Sequence, residues 1–133
     1  MCIFCKIINQ EIPSYKIYED EYTYAFLDIS PLSQGHTLVV PKKHSEHVLE
    51  ADSATITHCF NTIKKITHHY DNVLRSSGYN IISNVHPSSG QTVFHTHFHI
   101  VPRFTKNESL FDSLKEHSSE ENIKMTFETI KIA

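Results

Sequence analysis

The sequence predicts an α+β fold in which an antiparallel five-stranded sheet packs with one long helix. Three observations predict it: five short stretches rich in aromatic and β-branched residues, one long amphipathic stretch between the third and fourth of them, and a turn-rich loop between the last two. The chain has 133 residues, the usual size of one compact domain, and shows no internal repeat or low-complexity linker. We therefore expect a single domain over residues 1–133.

The first three strands are predicted close to the N-terminus. Aromatic and β-branched residues, which favour extended structure, are frequent in Tyr15–Glu19, Tyr22–Asp28 and His36–Val40. A short apolar segment, residues 3–8, precedes them.

One long helix is predicted over Ser53–Arg75. Its apolar residues recur at spacings of three or four, the period of a single helical face, and they are Ile56, Phe60, Ile63, Ile66, Tyr70 and Val73. Asp52 or Ser53 is suited to cap the start of the helix, and Gly78 supplies a stop.

The last two strands are predicted to form an antiparallel hairpin. Tyr79–Val85 and Val93–Val101 are strand-like, and residues 86–90 between them are rich in turn formers. Pro102 is expected to end the second strand.

The motif-bearing part of the chain spans residues 1–104, and residues 105–133 form a C-terminal extension. The extension is more polar, but Ile123, Phe127 and Ile130 share one helical stripe, so we expect it to be partly helical.

Composition excludes several classes of partner. The net charge is −3 and the 12 basic residues are spread along the chain, so no basic stripe indicates a polynucleotide partner. No apolar run of membrane-spanning length and no secretory signal are found, which predicts a soluble, unsecreted protein without a membrane partner. Three cysteines, an odd number, favour thiols or metal ligands in a reducing compartment, and we expect a cytoplasmic location.

Three alternating histidines are the strongest functional signal. On a strand, His95, His97 and His99 would project from one face. Such an array can merely fill a surface, or it can hold zinc with an open position for water, as in a metal-dependent hydrolase. Nucleophilic chemistry on phosphate is favoured instead, because Gly90-Gln91-Thr92 just before the array offers a flexible backbone, an amide and a hydroxyl as donors.

Two blocks of the sequence resemble the histidine-triad (HIT) family of nucleotide hydrolases and transferases. The first runs from Gly90 to Val101 through the array, and the second from Phe26 to His44 contains Phe-Leu-Asp-Ile-Ser-Pro and Gly-His-Thr-Leu-Val-Val-Pro-Lys-Lys-His. The start, Cys2-Ile-Phe-Cys5-Lys-Ile, is similar to the zinc-containing bacterial-type branch. The resemblance implies the HIT-like fold with shorter terminal helices, and a two-fold homodimer.

The resemblance also implies a reaction. His97 would attack the α-phosphorus of a nucleoside phosphoramidate or a dinucleoside polyphosphate, and water would then cleave the nucleotidyl-histidine. The base would be a purine, adenine or guanine, and no organic cofactor is implied.

The other site residues follow from their positions in the matched motifs. His99 and His36 would lie beside the phosphate, and Thr92 would act with them. Asp28 would hold the ribose hydroxyls, or else cap a turn. The remaining predicted contacts are Gly90, Gln91 and Asn84 at the phosphate, and Phe4, Ile7, Phe26 and Ile29 as a wall for the base, unless these apolar residues are ordinary core.

A structural zinc is the predicted metal. Cys2 and Cys5 alone supply only two of the four ligands of a tetrahedral site. In the branch that the chain resembles, the missing ligands correspond to His44 and His95. The alternative is a metal-free dithiol or redox pair.

Two further functional alternatives stay open, an adaptor that binds nucleotides with little turnover and the metal-dependent hydrolase.

The chain also departs from family patterns. His86 and Pro87 stand where many relatives have a glycine-containing loop, and the chain contains no tryptophan. Leaving-group preference is therefore not predicted.

Overall fold

A computed structural model of the chain describes residues 2–106, 110 and 120–132. Its elements, in chain order, are α1 (Ile3–Ile8), β1 (Lys16–Glu19), β2 (Thr23–Leu27), β3 (Thr37–Pro41), α2 (Ser53–Val73), β4 (Gly78–Ile82), a 3-10 turn (Pro87–Ser89), β5 (Phe98–Arg103) and α3 (Glu120–Ile130). The five strands form one sheet in the order β1-β2-β3-β5-β4, with every neighbouring pair antiparallel. The predicted α+β class and the five-stranded antiparallel sheet are confirmed.

The alternation of side chains along β2 and β3 divides the core between the two faces of the sheet. On one face, Ala25 and Val39 pack with the buried side of α2, which includes Ile63 and Ile66. On the other face, four strand residues pack with α1: Tyr24, Phe26, Leu38 and Val40 contact Phe4 and Ile7. The second face carries the site described below.

The long helix begins as predicted but ends by a different device. The Asp52 side chain accepts a hydrogen bond from Thr55 N at 2.7 Å, which caps the first turn. At the other end the N–H groups of Leu74 and Arg75 both donate to the carbonyl of Tyr70, and Arg75 adopts a left-handed φ of 58°. Arg75 therefore closes the helix, and the prediction that Gly78 stops it was wrong because Gly78 already begins β4.

The predicted hairpin pairs correctly, but its second strand is displaced. β4 and β5 are antiparallel neighbours, and β5 begins at Phe98 rather than at Val93. The preceding segment is held elsewhere, since Thr96 N donates to the Ser45 carbonyl at 2.8 Å. His95 and His97 therefore precede the strand and only His99 lies in it, so the expectation of three histidines on one strand face was wrong.

Pro102 does not end β5, which continues to Arg103. β3 pairs with β5 only over Phe98–Ile100, so Pro102 lies beyond the residues paired on that side. A missing N–H is tolerated in such an edge-like position.

The C-terminal extension contains the expected helix, α3. Its apolar residues Ile123, Phe127 and Ile130 are exposed. Residues 107–109, 111–119 and 133 of the predicted extension lie outside the described residues. Within the part of the chain that is described, no helix has both the length and the apolar character needed to cross a membrane.

Candidate active site

A cavity of about 550 Å³ opens on the α1 side of the sheet. Its wall is mostly apolar, and Asp28, His97 and His99, which interact electrostatically, form its polar end, with Thr92 also in the lining. The lining residues are Ile3, Phe4, Ile7, Ile12, Pro13, Ser14, Tyr15, Phe26, Leu27, Asp28, Ile29, Leu38, Thr92, Val93, His97 and His99. All four residues predicted to wall a base are among them, and Ile29, 86% exposed, lies at the rim. An apolar slot that leads to a few polar groups is the usual form of a small-molecule site.

His97 is held in one tautomer by the backbone. Its Nδ1–H donates to the carbonyl of His95 at 2.7 Å, and a carbonyl can only accept. The neutral ring therefore carries its lone pair on Nε2. Burial lowers the pKa of His97, against the opposing effects of the His95 carbonyl and Asp28, so the neutral form is favoured.

His36 and His99 form a hydrogen-bonded chain that starts at the backbone. The N–H of Leu32 donates to His36 Nδ1 at 3.0 Å, which places the proton of the neutral His36 ring on Nε2. His36 Nε2 then donates to His99 Nδ1 at 2.9 Å, so His99 carries its proton on Nε2. His99 is thereby left as a donor next to His97, whose ring centroid is 5.1 Å away.

Burial keeps the rings of His36 and His99 neutral. Burial is the main cause that lowers the pKa of His36, and burial with the neighbouring His97 and His36 lowers the pKa of His99 to about 4. The His36 side chain is buried behind His99, so it supports His99 rather than facing the cavity.

Asp28 has two roles in the structure. Its Oδ1 accepts a hydrogen bond from Ser30 N at 2.8 Å, which is the turn-capping role considered above. Its Oδ2 lies 3.6 Å from His36 Nε2, and the residue lines the cavity. One carboxylate oxygen therefore holds the turn while the other faces the site.

Gln91 is fully occupied in holding two loops together. Its amide Nε2 donates to the carbonyls of Glu46 and Val93 at 2.6 and 3.0 Å, and its Oε1 accepts from His86 N at 2.8 Å. Both amide hydrogens are thus used by the backbone. The predicted donation from Gln91 to a phosphate stays untested, and the side chain positions the neighbouring Thr92 in the cavity wall.

The other predicted phosphate contacts lie next to this clamp. Gly90 adopts a φ of 107°, and a side chain there would meet the Asn84 amide at 3.7 Å. Among the described residues, the cavity lining includes neither of these two, nor His36 or Gln91. The structure therefore brings eight of the predicted nucleotide-site residues to the cavity itself and places Asn84, Gly90, Gln91 and His36 outside its lining; the eight are Phe4, Ile7, Phe26, Asp28, Ile29, Thr92, His97 and His99.

Cys2, Cys5, His44 and His95 converge as predicted. Their ligand atoms all lie within 4.8 Å of one another. The Sγ of Cys5 is 3.6 Å from Nδ1 of both His44 and His95, and the two Nδ1 atoms are 3.0 Å apart. Tetrahedral zinc with bonds of about 2.3 Å to sulfur and about 2.0 Å to nitrogen separates such atoms by roughly 3.3–3.8 Å.

The protonation pattern around the cluster also suits a cation. His95 Nε2 lies 2.8 Å from the carbonyl of Pro41, so its proton sits there and Nδ1 keeps a lone pair toward the sulfurs. Burial raises the pKa of the Cys5 thiol, helped by the neighbouring Cys2 and opposed by the N-terminal amine. The four residues present therefore fit a closed zinc site.

A second cluster, Asp28, His36 and His99, has the donor atoms of a metal site but the wrong protonation. A metal on His36 Nε2 would need the proton on Nδ1, where it would face the N–H of Leu32 at 3.0 Å. Two donors would then oppose each other. The hydrogen bonds of His36 therefore argue against a metal held by Asp28, His36 and His99.

Several cavity residues were not found from the sequence. Ile12, Pro13, Ser14 and Tyr15 line the cavity from the loop between α1 and β1. A loop has no periodicity that marks which side chains point inward, so only the resemblance could have indicated them. Val93 was assigned to a strand and lines the cavity instead.

Comparisons with known proteins agree with this geometry. The sequence matches the HIT domain family over residues 9–106. An uncharacterized HIT-like protein of Borreliella burgdorferi is 52% identical over 105 residues, which cover 77% of this chain and 76% of that protein. The adenosine 5'-monophosphoramidase HNT1 of Saccharomyces cerevisiae is 38% identical over 102 residues, covering 77% of this chain and 62% of that protein.

The fold agrees as well. The crystal structure of a Zn-bound histidine triad family protein from Mycobacterium smegmatis is similar, with a TM-score of 0.76 at 36% identity, and the match covers 80% of this chain and 77% of that one. The expected HIT-like fold is confirmed, and the chain belongs to the HIT domain family.

Proposed function

We propose that this protein is a nucleotide hydrolase that cleaves at the α-phosphate through a nucleotidyl-histidine on His97. The observation that carries the proposal is the state of His97, a buried neutral imidazole with Nδ1 fixed on a carbonyl and its lone pair on Nε2. The ring lines a cavity with Asp28, Thr92 and His99. A positioned nucleophile, a donor and a binding slot are what covalent phosphoryl chemistry needs.

The reaction balances in two steps. First, Nε2 of His97 forms a bond to the α-phosphorus as the bond to the leaving group breaks; the leaving group takes the electron pair, and a leaving amine also takes a proton from solvent. Second, water attacks the phosphorus and releases a proton to solvent, the bond to Nε2 breaks with its electron pair returning to Nε2, and the nucleoside monophosphate leaves. His97 is thereby regenerated, and one displacement is divided into two easier ones.

Donors around His97 would stabilise the charge that develops on the phosphate. His99 offers its Nε2–H, and Thr92 offers a hydroxyl in the same wall. His36 orients His99 from behind. Asn84, Gly90 and Gln91 would shape the loop that carries Thr92.

The substrate class follows from the cavity and a relative. The apolar wall suits the faces of a purine, adenine or guanine, and Asp28 at the polar end suits ribose hydroxyls. The yeast relative is named an adenosine 5'-monophosphoramidase. We therefore propose nucleoside phosphoramidates first, with dinucleoside polyphosphates second.

We also propose that Cys2, Cys5, His44 and His95 hold a structural zinc. A site closed by four protein ligands has no position for a reacting water, so the metal would stabilise the fold and take no part in the reaction. The Zn-bound relative supports this assignment.

A direct test uses adenosine 5'-phosphoramidate and diadenosine tetraphosphate with the purified protein, following AMP release and protein mass together. We expect AMP release and a transient adenylyl adduct mapped to His97. His97→Ala should abolish both. His68→Ala is the matched control, because His68 is an exposed histidine on α2, and it should keep both.

The alternatives give different results in the same experiment. An adaptor would bind AMP tightly without release or adduct. A metal-dependent hydrolase would lose activity under mild chelation and regain it with metal, without an adduct on His97.

A homodimer and a cytoplasmic location complete the proposal. β4 lies at one edge of the sheet, and the apolar residues of α3 are exposed in the described chain, so both are available to a second copy. Light scattering at low micromolar concentration would decide the oligomeric state. We propose the cytoplasm because Cys2, Cys5 and Cys59 are not joined in a disulfide, and metal-ligand and unpaired cysteines suit a reducing compartment.

A further inference from the structure

The ring of Phe4 contacts the proposed nucleophile directly. Its centroid lies 5.1 Å from that of His97, with the two planes at 90°. It also lies 5.9 Å from the ring of His95 and 5.5 Å from that of Phe26, again edge to face. This is the geometry that aromatic rings prefer. The buried Phe4 side chain therefore restrains the His97 imidazole in addition to the hydrogen bond at Nδ1.

Phe4 belongs to a helix that cannot hold its own position. α1 has six residues, and helices this short are not stable alone. One end of α1 is tied by Cys2, whose Sγ caps the helix by accepting from Cys5 N at 3.4 Å. Both cysteines belong to the cluster with His44 and His95. Phe4 lies between these two cysteines in the sequence, so the cluster restrains its backbone while packing on the sheet holds its side chain.

We propose that Phe4 is a positioning residue for His97, and that a metal in the Cys2–Cys5–His44–His95 cluster fixes Phe4 in that role. The proposal rests on the proposed function of His97. It is separate from the place of Phe4 in the cavity wall, because Ile7 shares that wall and the same helix but presents no ring to His97.

Three substitutions separate positioning from binding. Phe4→Leu removes the ring edge and should lower kcat about tenfold, since small displacements of a reacting group are costly. Ile7→Val changes the same wall without touching the His97 ring, so it should weaken AMP binding a few-fold and keep the single His97 tautomer. Phe60→Leu is the matched control, because Phe60 makes an equivalent edge-to-face contact with Phe98 away from the site, and it should change neither.

A second readout needs no substrate. The ¹⁵N signals of the His97 ring at pH 7.5 report which nitrogen carries the proton. We expect one tautomer, protonated at Nδ1, in the zinc-loaded wild type and in Phe60→Leu. Phe4→Leu should show a mixture, zinc removal from the wild type should produce a similar mixture, and zinc removal from Phe4→Leu should add little.

The outcomes separate this inference from the proposed function. An unchanged tautomer and unchanged kcat in Phe4→Leu would overturn the positioning role. An unchanged His97 tautomer after zinc removal from the wild type would overturn the proposal that the metal fixes Phe4. Absence of turnover in the wild type, together with a tautomer that responds to Phe4→Leu, would overturn the proposed hydrolysis and support the positioning.

Discussion

His36 donates a hydrogen bond from Nε2 to Nδ1 of His99 across 2.9 Å, and this contact passes the proton arrangement set by the Leu32 N–H on to the cavity. The backbone N–H of Leu32 selects the tautomer of His36, and His36 selects that of His99. A residue that is itself buried thereby decides what the cavity offers to a phosphate.

Substitutions of His36 should therefore act through His99. In His36→Gln the side-chain amide keeps a donor near the position of Nε2, whereas His36→Leu removes it. We expect kcat for phosphoramidate hydrolysis to fall roughly 10–100-fold in His36→Leu, a typical loss for a disturbed general acid or donor, and much less in His36→Gln. Equal losses in the two variants, both with wild-type melting temperature, would contradict a donor role.

Asp28 should recognise a ribose hydroxyl. Asp28→Asn keeps an acceptor for Ser30 N, so the turn should survive. Calorimetry gives the affinities of the wild type and of Asp28→Asn for AMP and for 2'-deoxy-AMP. The four affinities form a double-mutant cycle between Asp28 and the 2'-hydroxyl. We expect the wild type to lose about tenfold in affinity when the 2'-hydroxyl is removed, and the variant to lose little. Parallel losses in the two proteins would assign Asp28 to the turn alone.

Stability should fall in mild acid because His99 is buried in its neutral form. The pKa of His99 is about 4 in the fold, against an ordinary value of 6.5. Between these values the unfolded chain binds more protons, so stability is retained above pH 6.5 and decreases as the pH falls toward 4. Allowing for partial exposure, His99 should account for roughly 1–2 kcal/mol of the loss between pH 7.5 and pH 5.

Urea unfolding at these two pH values checks this prediction. His99→Asn should lose less stability than the wild type on acidification, by the amount given above. His68→Ala, which removes an exposed histidine, should lose as much as the wild type. An identical pH dependence in His99→Asn and the wild type would show that another group is responsible.

Zinc should be present at one ion per chain and should depend on Cys5. We expect Cys5→Ser to bind less than a tenth of an equivalent and to melt several degrees lower, because a structural metal contributes directly to folding. Cys59→Ala is the matched thiol control. Cys59 lies on the buried face of α2, outside the cluster, so this variant should keep its zinc. If the purified wild type contains no zinc and melts at the same temperature as Cys5→Ser, Cys2 and Cys5 form a metal-free dithiol instead.

Gly35 should be much less replaceable than Gly78. Gly35 has a φ of 85°, and a Cβ there would approach Leu74 Cδ1 to 2.6 Å and Pro102 Cγ to 3.3 Å, whereas a Cβ at Gly78 meets nothing within 4 Å. Gly35→Ala should cost about 1–2 kcal/mol of stability and disturb the adjacent His36, while Gly78→Ala should be nearly neutral. Chemical denaturation of both variants decides this, and equal stabilities would contradict it.

Much of the fold was predictable because periodicity reports burial. The alternation of Tyr24, Ala25 and Phe26 between the two faces of the sheet is visible in the sequence, and so is the apolar stripe of α2. The errors lie where long-range contacts override local pattern. Thr96 hydrogen-bonds to Ser45, so β5 begins later than predicted. No local sequence pattern indicates a partner 51 residues away.

The candidate site was predicted in composition more than in arrangement. The four residues of the predicted metal cluster lie together, and eight of the predicted nucleotide-site residues line one cavity. The motif positions did not predict that the Gln91 amide donates to backbone carbonyls, or that His36 donates to His99. Spacing along the sequence does not specify hydrogen-bond partners.

His95 contacts the metal cluster through its side chain and His97 through its backbone. Its ring belongs to the metal cluster, whereas its backbone carbonyl fixes the proton of His97. Every amino acid brings a carbonyl, but few bring a metal ligand. A descendant of this protein that replaced His95 would therefore lose a metal ligand, and with it the metal's restraint on Phe4, while the backbone acceptor for the His97 proton would remain.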